Sequence, residues 1–273
     1  MRLQIGRFGL YAASTVLLCL GMGLGSLPAR SQVRMTPNIL EIEAKRGQSQ
    51  GYFTISNPGE TPFRARISAI PFTYDRANGF QGLPESHPQD LTPYLQFTPR
   101  ELEVQPGTSR RVRLIGRLAP SLPEGEYRSA LIVENLQPVI TTDGRGNQVQ
   151  IVQQTAIVVF VRKGDFQPNL TVEQAIWDAE ARNITLLVQN RGGASTRPEI
   201  QWRLVQENTT VDEGTITPTI VIAESDRNFV ITYAEGEETP PPGDYQLQGE
   251  MIWHEDNYRQ KRGATFNINL IVD

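Results

Sequence analysis

A serine flanked by glycines is the feature of this 273-residue chain that comes closest to a catalytic motif. Gly47-Gln48-Ser49-Gln50-Gly51 spells G-x-S-x-G, the pattern in which serine hydrolases present their nucleophile. That nucleophile needs a strand before it and a helix after it, whereas a Lys-Arg turn precedes Ser49 and the strand-like segment 52–56 follows it. The pattern therefore favours a glycine-flanked hairpin turn, and we predict that the protein is not an enzyme.

The side chains that usually bind metals are too few to predict a metal centre. His87 and His254 are the only histidines, and the single cysteine, Cys19, lies near the N-terminus. A structural zinc site takes four nitrogen or sulfur ligands, so this set is too small. Segment 75–79 offers oxygen ligands without the spacing of a calcium loop, and a turn is the simpler interpretation. We therefore expect no metal and no cofactor.

The first 31 residues have the pattern of a secretory signal peptide. Two arginines give a positive start, and residues 11–20 are apolar. Ala29-Arg30-Ser31 then places small residues three and one positions before a cut ahead of Gln32. Because Cys19 lies inside this segment, the mature chain would contain no disulfide. We expect a periplasmic protein, and an uncleaved membrane anchor is the alternative.

The charge of the chain disfavours nucleic acid as a partner. The formal net charge is −4 at pH 7, and loss of the first 31 residues would remove three arginines and no acid. The sequence contains no basic run interleaved with aromatic residues, a pattern typical of nucleic-acid binding. Beyond residue 31 no apolar run is long enough to cross a bilayer, so we expect no membrane span in the mature chain.

Short β-like segments separated by turn signals dominate the rest of the sequence. The longest is Val149–Arg162, which first alternates apolar and polar residues and is apolar on both faces from Ala156 on. It predicts one long strand, exposed along an edge in its first half and covered on both sides in its second half. Segments 39–43, 63–70 and 97–104 also read as strands. With almost no helical periodicity, the sequence predicts an all-β fold.

Two halves of the chain echo each other. Pro123-Glu124-Gly125-Glu126-Tyr127 corresponds to Pro241-Pro242-Gly243-Asp244-Tyr245, and each places a tyrosine after Gly-acid at the head of a late strand. The pattern resembles the tyrosine corner of immunoglobulin-like sandwiches, in which the phenol bonds to backbone just upstream; a plain turn is the alternative. Lys163-Gly164-Asp165 reads as a linker. We predict two immunoglobulin-like β-sandwich domains in tandem after the signal peptide, at residues 32–163 and 166–273.

Four motifs follow one another in residues 34–163. They are Thr54-Ile55-Ser56-Asn57; Val104-Gln105-Pro106-Gly107 followed by Arg111-Val112-Arg113-Leu114; Leu122-Pro123-Glu124; and Gln154-Thr155-Ala156-Ile157 with Phe160 and Arg162. In this order and spacing the first domain resembles the periplasmic pilus-assembly chaperones, a family with two immunoglobulin-like domains. The second domain resembles generic bacterial immunoglobulin-like adhesion modules more than a typical second domain of a chaperone.

The resemblance implies that the protein lends a strand to a client. In the family, the last strand of the first domain gives alternate apolar side chains to a pilin subunit whose own sandwich lacks a strand, which is an edge-strand addition. Carried over through the Gln154-Thr155 match, the client-binding strand here consists of Val149, Ile151, Gln153, Thr155 and Ile157. The expected partners are an exported pilin-like or other β-rich surface subunit and, beyond it, an outer-membrane usher.

The resemblance also raises the question of how a client would be anchored. The family holds the terminal carboxylate of the subunit with an arginine on the first strand and a lysine on the last strand. Here Met35–Ala44 contains no basic residue, and apolar residues stand where lysines would be expected. Arg34, Arg162 and Lys163 are the basic residues nearest to the expected positions, and we consider them candidate contacts for a carboxylate.

A second class of function stays open at this point. A structural or adhesive module of the cell envelope would bind polysaccharide or another protein without lending a strand. A neighbouring reading frame for an usher or a pilin-like subunit would favour the chaperone. A partner that is lost under mild washing, without release of a subunit, would favour the envelope module.

Export should remove the segment before about Gln32, because Ala29-Arg30-Ser31 fits a signal-peptidase site. N-terminal sequencing of protein extracted from the cell envelope measures the mature start directly. A mature chain that still begins at Met1 would contradict the periplasmic assignment.

Overall fold

Strands account for nearly all the regular secondary structure of the chain. The computed structural model describes residues 33–142, 144, 146–255 and 260–273. Within these residues there is no α-helix, and one 3-10 turn spans Thr92–Tyr94. The predicted all-β fold is therefore confirmed. The predicted signal peptide lies outside the described residues.

Twenty strands follow one another along the described chain. They are β1 (Arg34–Thr36), β2 (Ile39–Glu43), β3 (Gln48–Asn57), β4 (Phe63–Ile70), β5 (Phe72–Asp75), β6 (Gly79–Gly82), β7 (Leu95–Thr98), β8 (Glu101–Val104), β9 (Thr108–Arg117), β10 (Gly125–Asn135), β11 (Val139–Thr142), β12 (Gln148–Ile151), β13 (Gln154–Lys163), β14 (Leu170–Asp178), β15 (Asn183–Asn190), β16 (Glu199–Gln206), β17 (Thr209–Ile216), β18 (Ser225–Thr232), β19 (Gly243–Glu255) and β20 (Gln260–Val272). The named strands pair antiparallel, except that β2 and β13 are parallel.

Nine of the described strands before residue 164 form two facing sheets, which we call the first sandwich, while β5 with β6 and β11 with β12 form two-stranded ribbons. One sheet has the order β1-β3-β9-β7 and the other has the order β2-β13-β10-β4-β8. Alternation along each strand places every second side chain inside, as Phe53 and Ile55 on β3 and Val112 and Leu114 on β9 show. Apolar side chains of both sheets meet in one core, which includes Leu40, Phe53, Ile55, Ala65, Ile67, Leu91, Val104, Val112, Leu114, Leu131, Val133, Ile157, Val159 and Val161.

The strands after residue 169 form a second pair of sheets, the second sandwich. Their orders are β14-β15-β18 and β17-β16-β19-β20. A separate core lies here, which includes Leu170, Ile184, Leu186, Val188, Ile200, Trp202, Leu204, Phe229, Tyr245, Leu247, Met251 and Leu270. Two separate cores agree with the idea of tandem domains, and the boundaries at 32–163 and 166–273 stay predictions.

Strand β13 is buried on both faces. Its odd-numbered residues Ile157, Val159 and Val161 belong to the first core. Its even-numbered residues Val158 and Phe160 belong instead to a third apolar cluster, where the second sandwich contributes Ile220 and Ile222. The prediction that both faces are covered is therefore confirmed for residues 157–161, because one face serves the first core and the other contacts the second sandwich, whereas Ala156, where the predicted coverage begins, is only partly buried.

Two predicted strands are each broken in the structure. Segment 149–162 is not one strand but two, because β12 ends at Ile151 and β13 begins at Gln154. The partner strand is interrupted at the same level, where β10 ends at Asn135 and Pro138 has no N–H to offer to a ladder. Segment 97–104 likewise divides around Pro99, and β7 and β8 belong to different sheets.

Both predicted tyrosine corners are present. The hydroxyl of Tyr127 donates a hydrogen bond to the carbonyl oxygen of Pro123 at 2.8 Å. The hydroxyl of Tyr245 makes the same bond to Pro241, also at 2.8 Å. Both tyrosines are buried, and burial raises the pKa of Tyr127. Each ring therefore packs in a core while its polar end fixes the turn that leads into a late strand.

Tyr127→Phe and Tyr245→Phe should each lower the free energy of unfolding by roughly 1 kcal/mol, because each removes one buried hydrogen bond and leaves a carbonyl oxygen without its partner. Urea unfolding of the full chain measures both variants. All three tryptophans, Trp177, Trp202 and Trp253, belong to the second sandwich, so their fluorescence should report Tyr245→Phe. Far-UV circular dichroism reports both changes. Unchanged transitions in both variants would show that the bonds do not contribute to stability.

Candidate functional site

Strands β11 and β12 form a two-stranded ribbon that is separate from the sheets of both sandwiches. We call this ribbon the arm. It continues the β10–β13 pair beyond the break described above. The register places Ile151 opposite Val139 and Val149 opposite Thr141, so Val149 and Ile151 share one face of the ribbon. The arm is thus an extension of the β10–β13 strand pair of the first sandwich.

Apolar side chains of the arm are exposed to solvent. Ile140 is 68% exposed, Val149 39% and Ile151 50%, and Val152 immediately beyond β12 is 47% exposed. Ile140 pairs with Gln150 and lies on the opposite face of the ribbon from Ile151. Single exposed apolar residues are ordinary, whereas a concentration of them on one small element is typical of a surface that another molecule covers.

The outer edge of β12 is the other notable property of the arm. Within the described residues β12 pairs only with β11, whereas β13 pairs with β10 on one side and β2 on the other. An edge strand presents unpaired backbone N–H and C=O groups along one side. The arm is therefore equipped to accept a further strand through main-chain hydrogen bonds while Val149 and Ile151 contact its side chains.

The remaining three residues of the predicted client-binding strand belong to the first sandwich. Gln153 lies in the break, where its carbonyl oxygen accepts a hydrogen bond from the backbone N–H of Asn135 at 2.9 Å. Thr155 is partly exposed and pairs with Val133. Ile157 is fully buried in the first core, because residues from Gln154 on are already part of the sheet. The structure thus leaves Val149 and Ile151 available to a partner and does not leave Ile157 available.

Arg162 takes part in a network of charged groups where the two sandwiches meet. Its Nε donates to a carboxylate oxygen of Glu126 at 3.0 Å, and its Nη2 donates to the carbonyl oxygen of Ser195 at 3.1 Å. The carboxylate of Glu126 is fully buried and also accepts bonds from the backbone N–H and the hydroxyl of Ser195. Glu41 connects Arg162 at 3.3 Å with Arg197 at 3.4 Å. Arg162 is therefore engaged within the protein.

The other two basic candidates lie elsewhere. Lys163 donates from its Nζ to three carbonyl oxygens in segment 119–122, and so fixes the loop that precedes β10. Successive residues of a strand point to opposite faces, so Arg162 and Lys163 do not converge. Arg34 is exposed on β1, which belongs to the other sheet. The structure does not bring these three residues together into one carboxylate-binding site.

The serine motif is explained by the strand that contains it. Ser49 is a buried residue near the start of β3, so the predicted hairpin turn is wrong for this residue: Gly47 lies in the turn before the strand, and Ser49 lies in the strand itself. Its Oγ has no hydrogen-bond partner among the described residues. The strand continues past Gly51, so the turn from strand to helix that a nucleophilic serine needs is replaced by regular extended chain. Within the described ranges, no three His, Cys, Asp or Glu side chains are grouped so that they could hold a metal ion. No helix formed by described residues has the length and apolar character to span a membrane.

Sequence reasoning missed two parts of the site. Ile140 and Val152 are among its exposed apolar residues, and only the position of Pro138 could have indicated that an arm begins there. The contact of Glu126 with Ser195 joins residues far apart in the chain. No local sequence pattern could have predicted this contact, because it depends on how the two sandwiches pack against each other.

Comparisons with known proteins find similarity in structure alone. No family model matches the sequence, and no curated protein matches it. The structure of the CsuC–CsuE chaperone–tip adhesion subunit pre-assembly complex, from the archaic chaperone-usher Csu pili of Acinetobacter baumannii, contains a chain with 14% identity and a TM-score of 0.51. The match covers 88% of this chain and 100% of that one. The YadV chaperone matches with 11% identity and a TM-score of 0.50, over 86% and 99%. The CupB2 chaperone of Pseudomonas aeruginosa has 14% identity and a TM-score of 0.47, over 86% and 100%.

The chain therefore has the fold of the pilus chaperones, and the predicted resemblance is confirmed at the level of the fold. The match to the CsuC–CsuE structure covers 88% of the chain, which is far more than the first sandwich contains. The likeness consequently extends into the second sandwich, which the sequence alone likened more to adhesion modules than to a chaperone domain.

Arg162→Met should lower the free energy of unfolding by about 3 kcal/mol or more, because it leaves the carboxylate of Glu126 buried without its ion partner. The double variant Glu126→Gln/Arg162→Met removes both charges and should recover a large part of that loss. Urea unfolding followed by circular dichroism measures the series.

Arg191→Met is the matched control, because its ion pair with Glu173 lies at the surface and should contribute less than about 1 kcal/mol. If Arg162→Met lowers the free energy of unfolding no more than Arg191→Met does, the buried network does not stabilise the contact between the two sandwiches. Arg162 is then available for another role.

Proposed function

We propose that the protein is a periplasmic chaperone or assembly factor that binds an exported β-rich surface subunit by lending it the edge of the arm. The observation that carries the proposal is the arm itself, in which the unpaired edge of β12 coincides with exposed Val149 and Ile151. The fold supports the proposal, since the CsuC–CsuE complex pairs a chaperone with a tip adhesion subunit.

The backbone and the exposed side chains of the arm would make different contributions to client binding. Backbone groups along the outer edge of β12 would make the hydrogen bonds of an added strand, and these bonds do not depend on the client's sequence. Val149 and Ile151 would enter apolar pockets of the client. Full burial of such a side chain contributes roughly 1.5–3 kcal/mol, and since each is already partly covered, each would contribute roughly 1 kcal/mol.

The base of the arm is held rigidly, which favours binding. Strand β13 is fixed by the first core on one face and by the contact with the second sandwich on the other. A strand that is already extended loses less conformational freedom when it is bound than a flexible segment would. The proposed role of the two cores is therefore to present β12 in an extended conformation.

Client binding in this protein would not depend on a basic anchor at Arg162 or Lys163. Both side chains already have partners inside the protein. We therefore propose that the arm provides the affinity for the client. This differs from the family resemblance, which implies that basic residues bind the client's terminal carboxylate.

Ile151→Glu should abolish client binding while changing the free energy of unfolding by less than about 0.5 kcal/mol, because a charge would be buried unpaired in the client's groove but stays solvated in the free protein. Affinity purification from the native envelope, with the co-purified chain identified, measures binding, and thermal melting measures stability. Ile176→Glu is the matched control: Ile176 is 51% exposed on β14, far along the chain from the arm, and should leave binding unchanged.

Val158→Glu is the opposite test, because Val158 is 5% exposed within the cluster between the sandwiches. It should destabilise the protein severely by burying an unpaired charge. If Ile151→Glu lowers the melting temperature as much as Val158→Glu does, the arm is part of a core. If Ile151→Glu is stable and binds the same partner as the wild type, strand lending is wrong, and an envelope module that binds without lending a strand becomes the better interpretation.

A further inference from the structure

The outer face of the sheet β1-β3-β9-β7 is basic and contains no acidic residue. The buried residues of β3 and β9 alternate with outward-facing ones, and the register places those of all four strands on one surface. We call this surface the arginine face. Its outward-facing residues are Arg34, Thr36, Gln48, Gln50, Tyr52, Thr54, Ser56, Gln96, Thr98, Ser109, Arg111, Arg113, Ile115 and Arg117. None of its four strands contains an aspartate or a glutamate.

The arginines of this face differ from Arg64 and Arg66 on the opposite sheet of the first sandwich. Arg111, Arg113 and Arg117 are exposed and form no ion pair with a carboxylate of the described residues. On the opposite sheet, Arg66 pairs with Glu101 at 2.8 Å and Arg64 pairs with Glu103 in the same way. The arginine face thus keeps an uncompensated positive charge on a chain whose net charge is −4.

An aromatic ring lies at the centre of the positive charge. The guanidinium carbon of Arg111 stacks 4.2 Å above the ring centroid of Tyr52, which is 50% exposed. The register places Arg113 directly opposite Tyr52 on the neighbouring strand. A stacked guanidinium loses little freedom when it binds, and its N–H groups at the rim stay free to donate to anionic oxygens.

The second sandwich does not cover this face. It packs against the other sheet, where Val158 and Phe160 of β13 meet Ile220 and Ile222. The arm also extends from strands of that other sheet. A partner on the arginine face would therefore compete neither with the second sandwich nor with a client on the arm.

We propose that the arginine face docks on a membrane surface that contains anionic phospholipids. Charge complementarity requires an anionic partner, and the composition of the face decides between a lipid surface and a protein. Protein interfaces generally have an apolar centre, whereas Tyr52 and Ile115 are the only large apolar residues that point outward here. The others are arginine, serine, threonine and glutamine. A flat basic surface with a central tyrosine suits the phosphates and the polar depth of a headgroup layer.

The rest of the molecule would orient the docked protein. Acidic side chains outnumber basic ones in residues 166–273, so the second sandwich is repelled by an anionic surface. Each arginine near such a surface contributes about fivefold in partitioning, so that the face supports reversible binding that salt weakens.

Vesicle co-sedimentation of the exported chain tests the proposal. Vesicles of phosphatidylcholine with phosphatidylglycerol should retain the protein at low salt, and vesicles of phosphatidylcholine alone should not. Binding should disappear in about 0.5 M salt, where the screening length is only a few ångströms. The triple variant Arg111→Gln/Arg113→Gln/Arg117→Gln should bind about a hundredfold more weakly, from roughly fivefold per arginine.

The control triple Arg64→Gln/Arg66→Gln/Arg191→Gln changes the net charge equally by removing exposed arginines that are paired. It should bind vesicles like the wild type. Failure of the wild type to bind at low salt would overturn the proposal, as would equal losses in the two triple variants. If vesicles are not bound but sedimentation velocity shows a dimer that the first triple variant disperses, the face contacts a second copy instead. Client capture by the first triple variant should be unchanged, which separates this proposal from the function of the arm.

Discussion

The burial of β13 on both faces is the constraint on which the rest of the structure depends. Ile157, Val159 and Val161 belong to the first core, and Val158 and Phe160 belong to the cluster shared with the second sandwich, so these five side chains are not available to a third partner. Within segment 149–162, the exposed large apolar side chains are Val149, Ile151 and Val152, which all lie before Gln154. The break at Val152 and Gln153 provides this separation, because it ends the sheet and lets β12 continue as part of a ribbon with a free edge.

The charged network at the end of β13 complements the apolar contact between the sandwiches. Apolar contacts such as Phe160 with Ile222 favour association but are not directional. The bonds of Glu126 to Ser195 and of Arg162 to both of them are directional, because each needs a donor and an acceptor in a fixed geometry. A buried ion pair adds little net stability over well-packed apolar residues. We therefore infer that its contribution lies in fixing the angle between the sandwiches and, through β13, the direction of the arm.

The fold could be predicted from the sequence where the information is local. Alternation identifies 39–43 and 63–70 as strands, and the two Gly-acid-Tyr patterns identify the tyrosine corners, because each signal lies within a few residues. Segment 149–162 was wrongly predicted as one strand because the interruption comes from Pro138 on the partner strand. The sequence does not reveal the arginine face for the same reason, since Tyr52 and Arg111 become neighbours only through the pairing of β3 with β9.

The arm continues from β10 and β13 of one sheet of the first sandwich, and the arginine face lies on the other sheet. Their proposed roles support each other. In our proposal, two partly exposed apolar side chains and one strand edge give the arm a moderate affinity for a client, and Arg162 and Lys163, at the far end of β13, are already paired. Docking at a membrane would restrict the protein to a thin layer and so raise its local concentration near subunits that emerge there, without any new contact. In this proposal no basic residue of the protein binds the client's carboxylate. The higher local concentration at the membrane would then raise the fraction of client subunits that are bound. The acidic second sandwich, repelled by the same surface, would then point into the solvent and leave the free edge of β12 accessible.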